Sequence, residues 1–203
     1  MEQVIGNGYR ILGSSFYRRG TGAVAKALLG KYLIRRLNGG LLIGRIVETE
    51  AYYHKNDPAC HAYRGMTKRN AVMFGSCGRA YVYFTYGNHY LLNVVTGKIG
   101  CGEAVLIRAL EPIEGLALMK KNRGLDCDEN LTNGPGKLAQ AMAIDMSFNG
   151  CDLRNSPLVI AQKELRQNFT IGRSRRIGIS DGKELLERYY ISGNRFVAVR
   201  PKN

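Results

Sequence analysis

The stretch LLIGRIVETEAYY, residues 41–53, constrains the fold more than any other part of the chain. It follows Asn38-Gly39-Gly40, a strong reversal signal, and is itself rich in β-branched residues. An apolar, β-branched run behind an Asn-Gly turn reads as the second arm of a β-hairpin, here residues 31–37 against 41–53. That arm carries an anomaly. Strand alternation places Ile46, Glu48, Glu50 and Tyr52 on one face and Val47, Thr49 and Ala51 on the other. Two carboxylates on one face of an otherwise apolar strand are costly unless solvated, paired or used.

The same alphabet recurs downstream. GRAYVYFTYGNHYLLNVV predicts two strands reversing at YGNHY, and GEAVLIRALEP predicts another, stopped by Pro112. RRIGIS, RYYISG and RFVAVR in the last thirty residues also look extended. Helical signals are fewer. TGAVAKALLG has Thr21 as N-cap and Val24, Leu28 and Leu29 at helical spacing, with Gly30 to end it. IEGLALMKKNRG reads as a short helix closed by Gly124, and NGPGKLAQAMAI as a glycine-rich turn entering a helix. Strands dominate and helices sit between them, so the expected fold class is α+β, one domain over residues 1–203.

Charge then narrows the partners. Thirty Lys and Arg against sixteen Asp and Glu give +14, the footprint of a nucleic-acid binder, though an anionic membrane would attract it too. The basic residues are spread as Arg18-Arg19, Arg35-Arg36, Lys68-Arg69, Lys120-Lys121 and Arg173-Arg175-Arg176. A positive face must therefore be assembled by folding, which favours a shaped surface for duplex over a basic tail. Five widely spaced cysteines contain no CxxC, so neither a zinc framework nor a disulfide scaffold is indicated. No run approaches the ~18 apolar residues of a membrane span. An intracellular protein with reduced thiols is the expectation.

Several readings of the possible chemistry stay open on residues alone. Glu48 could sit at a wet edge and Glu50 against an arginine. Alternatively, two glutamates one residue apart lie about 7 Å apart along a strand, near the carboxyl spacing of inverting glycosidases. Hydrolysis of a nucleoside N-glycosidic bond is related chemistry and suits the charge better, because a carboxylate both stabilises an oxocarbenium-like centre and takes a proton from water. Tyr81 and Tyr83 share a strand face, and Tyr86 stands at the turn, where a bulky side chain can act as a wedge between base pairs. GPGK lacks the spacing of a phosphate-binding P-loop, but can present backbone N–H groups to a phosphate. His54, Cys60, His61 and His89 match no metal-ligand spacing.

Taken together, GRIVETEAY, HAYRGMTKRNAVMF, AYVYFTYGNHYLLNVV, EAVLIRALEPIEGL, NGPGKLAQAMAI and FVAVR resemble the alkyladenine (3-methyladenine, methylpurine) DNA glycosylase family, the kind without a helix-hairpin-helix. The resemblance implies a compact α+β fold with a curved antiparallel sheet, flanking helices and a protruding DNA-inserting hairpin. It implies that Glu50 is the general base activating water and that Arg108 helps hold that water. Tyr52, His61 and Tyr83 become walls of a pocket for a flipped purine. Asn93 becomes the side chain crowding the purine 2-position, and Tyr86 the intercalating wedge. Lys68, Arg69, Gly134 and Lys137 are expected at the DNA backbone, and Glu48 is secondary.

The implied activity is excision of 3-methyladenine, 7-methylguanine and deaminated purines such as hypoxanthine from duplex DNA, without strand cleavage. This would initiate base excision repair. No cofactor and no metal are expected, and the partner is damaged double-stranded DNA, bound by a monomer and not by way of a membrane. The expected location is the cytoplasm, at the nucleoid, in a bacterium, or the nucleus in a eukaryote. The competing readings are a non-catalytic binder of damaged DNA and a sugar hydrolase.

Overall fold

A computed structural model describes residues 4–6, 8–85, 87–128, 130–164 and 168–198. In chain order the strands are β1 (Val4–Ile5), β2 (Tyr9–Ile11), β3 (Tyr32–Leu37), β4 (Gly40–Tyr52), β5 (Ala80–Thr85), β6 (His89–Thr96), β7 (Glu103–Glu114), β8 (Leu158–Gln162), β9 (Ile171–Ser174) and β10 (Arg188–Ile191). The helices are α1 (Ser14–Tyr17), α2 (Thr21–Leu28), α3 (Leu116–Arg123) and α4 (Pro135–Ala141). The strands pair antiparallel in the order β1-β2-β8-β3-β4-β7-β6-β5. β10 also pairs with β4, and β9 with β10. The architecture is α+β with an open antiparallel sheet.

The hairpin at the Asn38-Gly39 turn forms as its residues dictate. Leu37 pairs with Gly40, leaving a two-residue loop in which Gly39 takes φ +100°, a conformation that suits glycine. β4 is long enough to serve two neighbours along one edge. Gly40–Arg45 pairs with β3, while Glu48, Thr49 and Glu50 pair with Tyr190, Tyr189 and Arg188 of β10. Its other edge runs along β7 from Ile43 to Tyr52, with register shifts between Ile43 and Gly44, between Ile46 and Glu48 and between Glu48 and Thr49.

That irregularity corrects the predicted alternation. Ile46 and Val47 both join the main core, so Ile46 does not share the face of Glu48. A bulge inserts one residue and re-aims the side chains after it. Beyond it alternation resumes. Val47 and Ala51 lie in the core and Thr49 Oγ1 donates to the Ala25 carbonyl at 2.9 Å, while Glu48, Glu50 and Tyr52 point the other way.

The main core fills the space between one face of β4-β7-β6-β5 and the helices. It includes Val24 and Leu28 of α2, Met119 of α3, Leu138 of α4, and Val82, Leu92, Val94, Val105 and Ile107 from the strands. Each fully buried aliphatic side chain contributes about 1.5–3 kcal/mol relative to exposure.

Other local expectations need correcting. Thr21 is the first residue of α2, and Gly20 is its cap. The Thr21 hydroxyl instead bonds Thr96 Oγ1, at 2.8 Å, and Glu103. β7 does not stop at Pro112. It continues to Glu114, with Pro112 opposite Gly44 beside a register shift, where a missing N–H is tolerated. RRIGIS is not a strand: after β9 ends at Ser174 the chain runs as coil through residue 181. Residues 195–198 of RFVAVR are likewise not a strand, and Val199 and Arg200 lie outside the described residues.

Candidate active site

The face of β4-β7-β6-β5 turned away from the main core builds the floor of a cavity of about 400 Å³. The period of two explains the selection. Val105, Ile107 and Ala109 of β7 join the core, while Ala104, Leu106 and Arg108 line the cavity. On β6, Leu92 and Val94 are core, and Leu91 and Asn93 line the cavity. On β5, Ala80 and Val82 are core, and Tyr81, Tyr83 and Thr85 line it. Cross-strand pairing then brings Asn93 between Tyr81 and Leu106, and Leu106 opposite Glu50.

At one end of this floor lies a buried ionic network. Glu48 and Glu50 have no exposed surface, and Arg108 is buried between them. Arg108 Nε donates to Glu48 Oε1 at 2.8 Å, and its Nη1 donates to Glu50 Oε2 at 3.3 Å. Glu48 is fully engaged, since Arg188 Nε reaches Oε1 at 2.7 Å and the Ala198 N–H reaches Oε2 at 2.7 Å. Neither Glu48 nor Glu50 is itself in the cavity lining, but of these partners of Glu48 only Arg108 lines it. These surroundings therefore give Glu48 the part of a counter-charge, and the paired-carboxylate geometry of a sugar hydrolase finds no support.

Glu50 differs. Its Oε1 accepts from the Ile177 N–H at 2.8 Å, and its Oε2 accepts from the Tyr52 hydroxyl at 2.8 Å as well as from Arg108. A carboxylate offers about four acceptor positions, so one remains unused by the protein. All three partners, Tyr52, Arg108 and Ile177, line the cavity. Burial pushes the Glu50 carboxyl above its ordinary range, against the opposing pull of Arg108, the Ile177 N–H and the Tyr52 hydroxyl. Burial works against the charge of Arg108 too, but Glu50 and Glu48 more than offset it and hold the guanidinium above its ordinary value.

The Tyr52 hydroxyl favours the charged form of Glu50, so removing it has a definite sign. In Tyr52→Phe the Glu50 carboxyl rises further, and the acid limb of any activity that needs its anion moves to higher pH. A pH–rate profile of the two proteins checks this; an unmoved limb refutes it.

The aromatic walls stand together. The His61 ring lies 4.5 Å from that of Tyr83, and its Nδ1 is 2.8 Å from the Tyr81 hydroxyl. Tyr81 and Tyr83 stack at 5.4 Å. The surrounding protein and the charge of Arg69 hold His61 below its ordinary pKa, which favours the neutral ring. Asn70 fixes the loop carrying His61 by donating to the carbonyls of His61 and Gly65, at 2.8 and 3.0 Å. Asn93 is buried and donates Nδ2 to the Tyr81 carbonyl at 3.1 Å, which fixes the side chain in the wall.

The structure thus brings Arg108, Tyr52, His61, Tyr83 and Asn93 to one cavity, with Glu50 directly behind its wall. Tyr86 lies outside the described residues, between Thr85 on the cavity wall and Gly87. Lys68 and Arg69 are exposed, and Arg69 lies over the Tyr83 ring at 5.3 Å. Pro135 carries the start of α4 to the cavity wall, with Gly134 and Lys137 adjoining. Lys137 Nζ already donates to the Oδ1 atoms of Asn130 and Asn133, both at 3.0 Å. Gly136 has no room for a side chain, because a Cβ would lie 2.8 Å from His89 Cγ, beside the turn of the β5-β6 hairpin.

Sequence reasoning missed the fourth side of the cavity, Ile177 to Asp181, and the apolar lining of Met73, Leu91, Ala104 and Leu106. It also missed what anchors that side. Arg176, fully buried with Asp57, donates to both carboxylate oxygens at 2.7 and 2.6 Å, and to the carbonyls of Ala51 and Gly182 at 3.0 and 3.3 Å. Its guanidinium also lies 4.5 Å from the centre of the Tyr52 ring. Alternation in β6 and β7 would have found Leu91 and Leu106. No local signal marks the Asp57–Arg176 clamp.

Among the described residues no cluster of His, Cys, Asp and Glu is placed to hold a metal ion, and no helix is long and apolar enough to cross a membrane. Comparison with known proteins gives the family. Residues 15–195 match the profile of the family described as Methylpurine-DNA glycosylase. A protein of Carboxydothermus hydrogenoformans is 54% identical over 189 residues, covering 93% of this chain and 98% of its own length. Proteins of Chlorobium phaeobacteroides and Methanoculleus marisnigri are each 50% identical, covering 92% and 93% of this chain and 94% and 99% of their own. All three are provisionally named 3-methyladenine DNA glycosylases. With nine-tenths of its length aligned to such relatives and a buried carboxylate set behind an aromatic cavity, the chain belongs to the methylpurine-DNA glycosylase family and is a hydrolase of N-glycosidic bonds in DNA.

Proposed function

We propose that the protein extrudes a damaged purine from duplex DNA into this cavity and hydrolyses its N-glycosidic bond, taking 3-methyladenine, 7-methylguanine and the deaminated base hypoxanthine. The observation that carries this reading is Glu50, a desolvated carboxylate whose three partners all face an aromatic cavity. A cavity of about 400 Å³ has room for one base and none for a duplex, so the base must leave the stack to enter it.

A water between the Glu50 carboxylate and the scissile carbon gives its proton to Glu50 as its oxygen bonds to C1′. The electron pair of the C1′–N bond leaves with the base. An N3- or N7-alkylated purine is cationic and departs neutral, so it needs no strong acid. Arg108 Nη1 lies 3.3 Å from Glu50 and 3.4 Å from the Ile177 carbonyl, which supports holding such a water at this corner.

Tyr52, His61 and Tyr83 enclose the base and Asn93 crowds its 2-position. Tyr86 fills the gap left in the duplex. Lys68 and Arg69, with the Gly134–Lys137 turn on another rim, take the DNA backbone. One copy suffices in this reading, because among the described residues a single chain supplies the cavity lining.

The test is release of free base from duplexes carrying a single 7-methylguanine or hypoxanthine, followed by chromatography under single-turnover conditions. Release with the strand left intact supports the proposal. Tight binding of the damaged duplex without release of either base would instead identify a damaged-DNA binder.

A further inference from the structure

Base excision in this cavity leaves one group of its wall without a task. Asp181 is the only carboxylate side chain among the described residues that lines the cavity, since Glu50 lies behind the wall without exposed surface. Asp181 is exposed, and its carboxylate accepts from the Ser180 hydroxyl at 3.1 Å. Among the described residues it forms no ion pair and caps no helix. A free carboxylate at the entrance to a site for a polyanion repels phosphate and costs affinity. On a chain of net charge +14 that cost needs a local reason.

The surrounding charges supply one. The tyrosine faces that would hold a cationic purine already have arginines beside them: Arg176 lies 4.5 Å from the Tyr52 ring centre and Arg69 lies 5.3 Å from that of Tyr83. Arg176 is answered by Asp57, and Arg108 by Glu48 and Glu50. Arg69 has no carboxylate partner among the described residues. Without Asp181 the accessible wall would present a cation only, and an incoming cationic base would be repelled. The segment holding Asp181 is also fixed in place. The Ile177 N–H is bound to Glu50 and the Gly182 carbonyl to Arg176, so both ends are pinned to buried groups.

We infer that Asp181 is a specificity-determining residue that biases the cavity toward purines carrying a positive charge, such as N3- and N7-alkylated bases, over neutral ones such as hypoxanthine. The inference rests on the glycosylase reading and deepens it. Alkylation at N3 or N7 leaves the ring with a full positive charge, whereas deamination leaves it neutral. In surroundings close to bulk water, a single carboxylate within about 4 Å of a cation changes its occupancy by about five- to tenfold.

The experiment compares wild type, Asp181→Asn and Asp181→Glu by the single-turnover ratio kmax/K½ on duplexes carrying 7-methylguanine or hypoxanthine. Binding to undamaged duplex and melting temperature are measured alongside. Asp181→Asn is expected to lower the value for 7-methylguanine by about five- to tenfold, to leave hypoxanthine unchanged, and to bind undamaged duplex as tightly as wild type or more so. Asp181→Glu is expected to restore the preference. Unchanged release of 7-methylguanine by Asp181→Asn overturns the inference, as does an equal loss on both lesions, which would mark a structural turn. Loss on hypoxanthine alone overturns it in favour of a proton donor to neutral leaving bases. A wild type that releases neither base refutes the glycosylase reading and the inference with it, whereas both bases released at an unaltered ratio refutes the inference alone.

Discussion

Glu50→Gln is expected to bind a 7-methylguanine duplex as wild type does and to release the base slower by a factor of about 10²–10⁴, the usual contribution of a positioned general base. The amide keeps the size and much of the hydrogen bonding of the side chain but accepts no proton from water. Its folding should suffer little. Burial raises the Glu50 carboxyl in the folded state, so above that raised pKa the charged group weakens the fold, a penalty relieved as pH falls. Removing the charge removes the penalty at neutral pH. Single-turnover kinetics with a binding titration and a thermal melt separate the two effects. A variant that releases base at the wild-type rate ends the case for Glu50.

Glu48→Ala is expected to fail in the opposite way. It strips the shared counter-charge from Arg108 and Arg188, both nearly fully buried, and leaves the Ala198 N–H without its partner. Breaking a buried ion pair from one side costs about 3–5 kcal/mol because a charge is left uncompensated. For a chain of this size that lowers the melting temperature by roughly 10 °C. Arg108 would still have Glu50 at 3.3 Å, so what survives folding should retain some activity. Denaturant titration gives the loss directly, and a loss below about 1 kcal/mol would show that the network is solvated rather than buried.

These opposite outcomes come from two glutamates one residue apart, and the sequence separates them only in part. Alternation puts both on one face, and that much holds beyond the bulge. Which of them faces chemistry depends on residues far along the chain: Arg188 and Ala198 close around Glu48, while Ile177, 127 positions away, holds Glu50. Such pairings leave no local pattern. The hairpins and the cavity floor are legible because Asn-Gly turns and a period of two are local properties, and β5, β6 and β7 obey them. Ile46 is misplaced by alternation because a bulge shifts the phase without a residue type that announces it. RRIGIS looks like a strand for a related reason: Ile177 and Ile179 alternate, but toward a cavity wall rather than a paired neighbour. Pro112 reads as a stop, whereas the register shift beside it lets β7 continue.

The central claim is that a desolvated Glu50 must be an anion for the bond to be cleaved. One titration tests it most directly: the single-turnover rate of 7-methylguanine release by the wild-type protein against pH. This lesion carries its positive charge throughout the acid range, so its departure needs no proton and the acid limb reports the base alone. With Glu50 raised by burial, the rate should fall with decreasing pH through a limb above the ordinary carboxylate range. A rate that stays flat down through that range, while the protein remains folded and bound to DNA, would contradict the account.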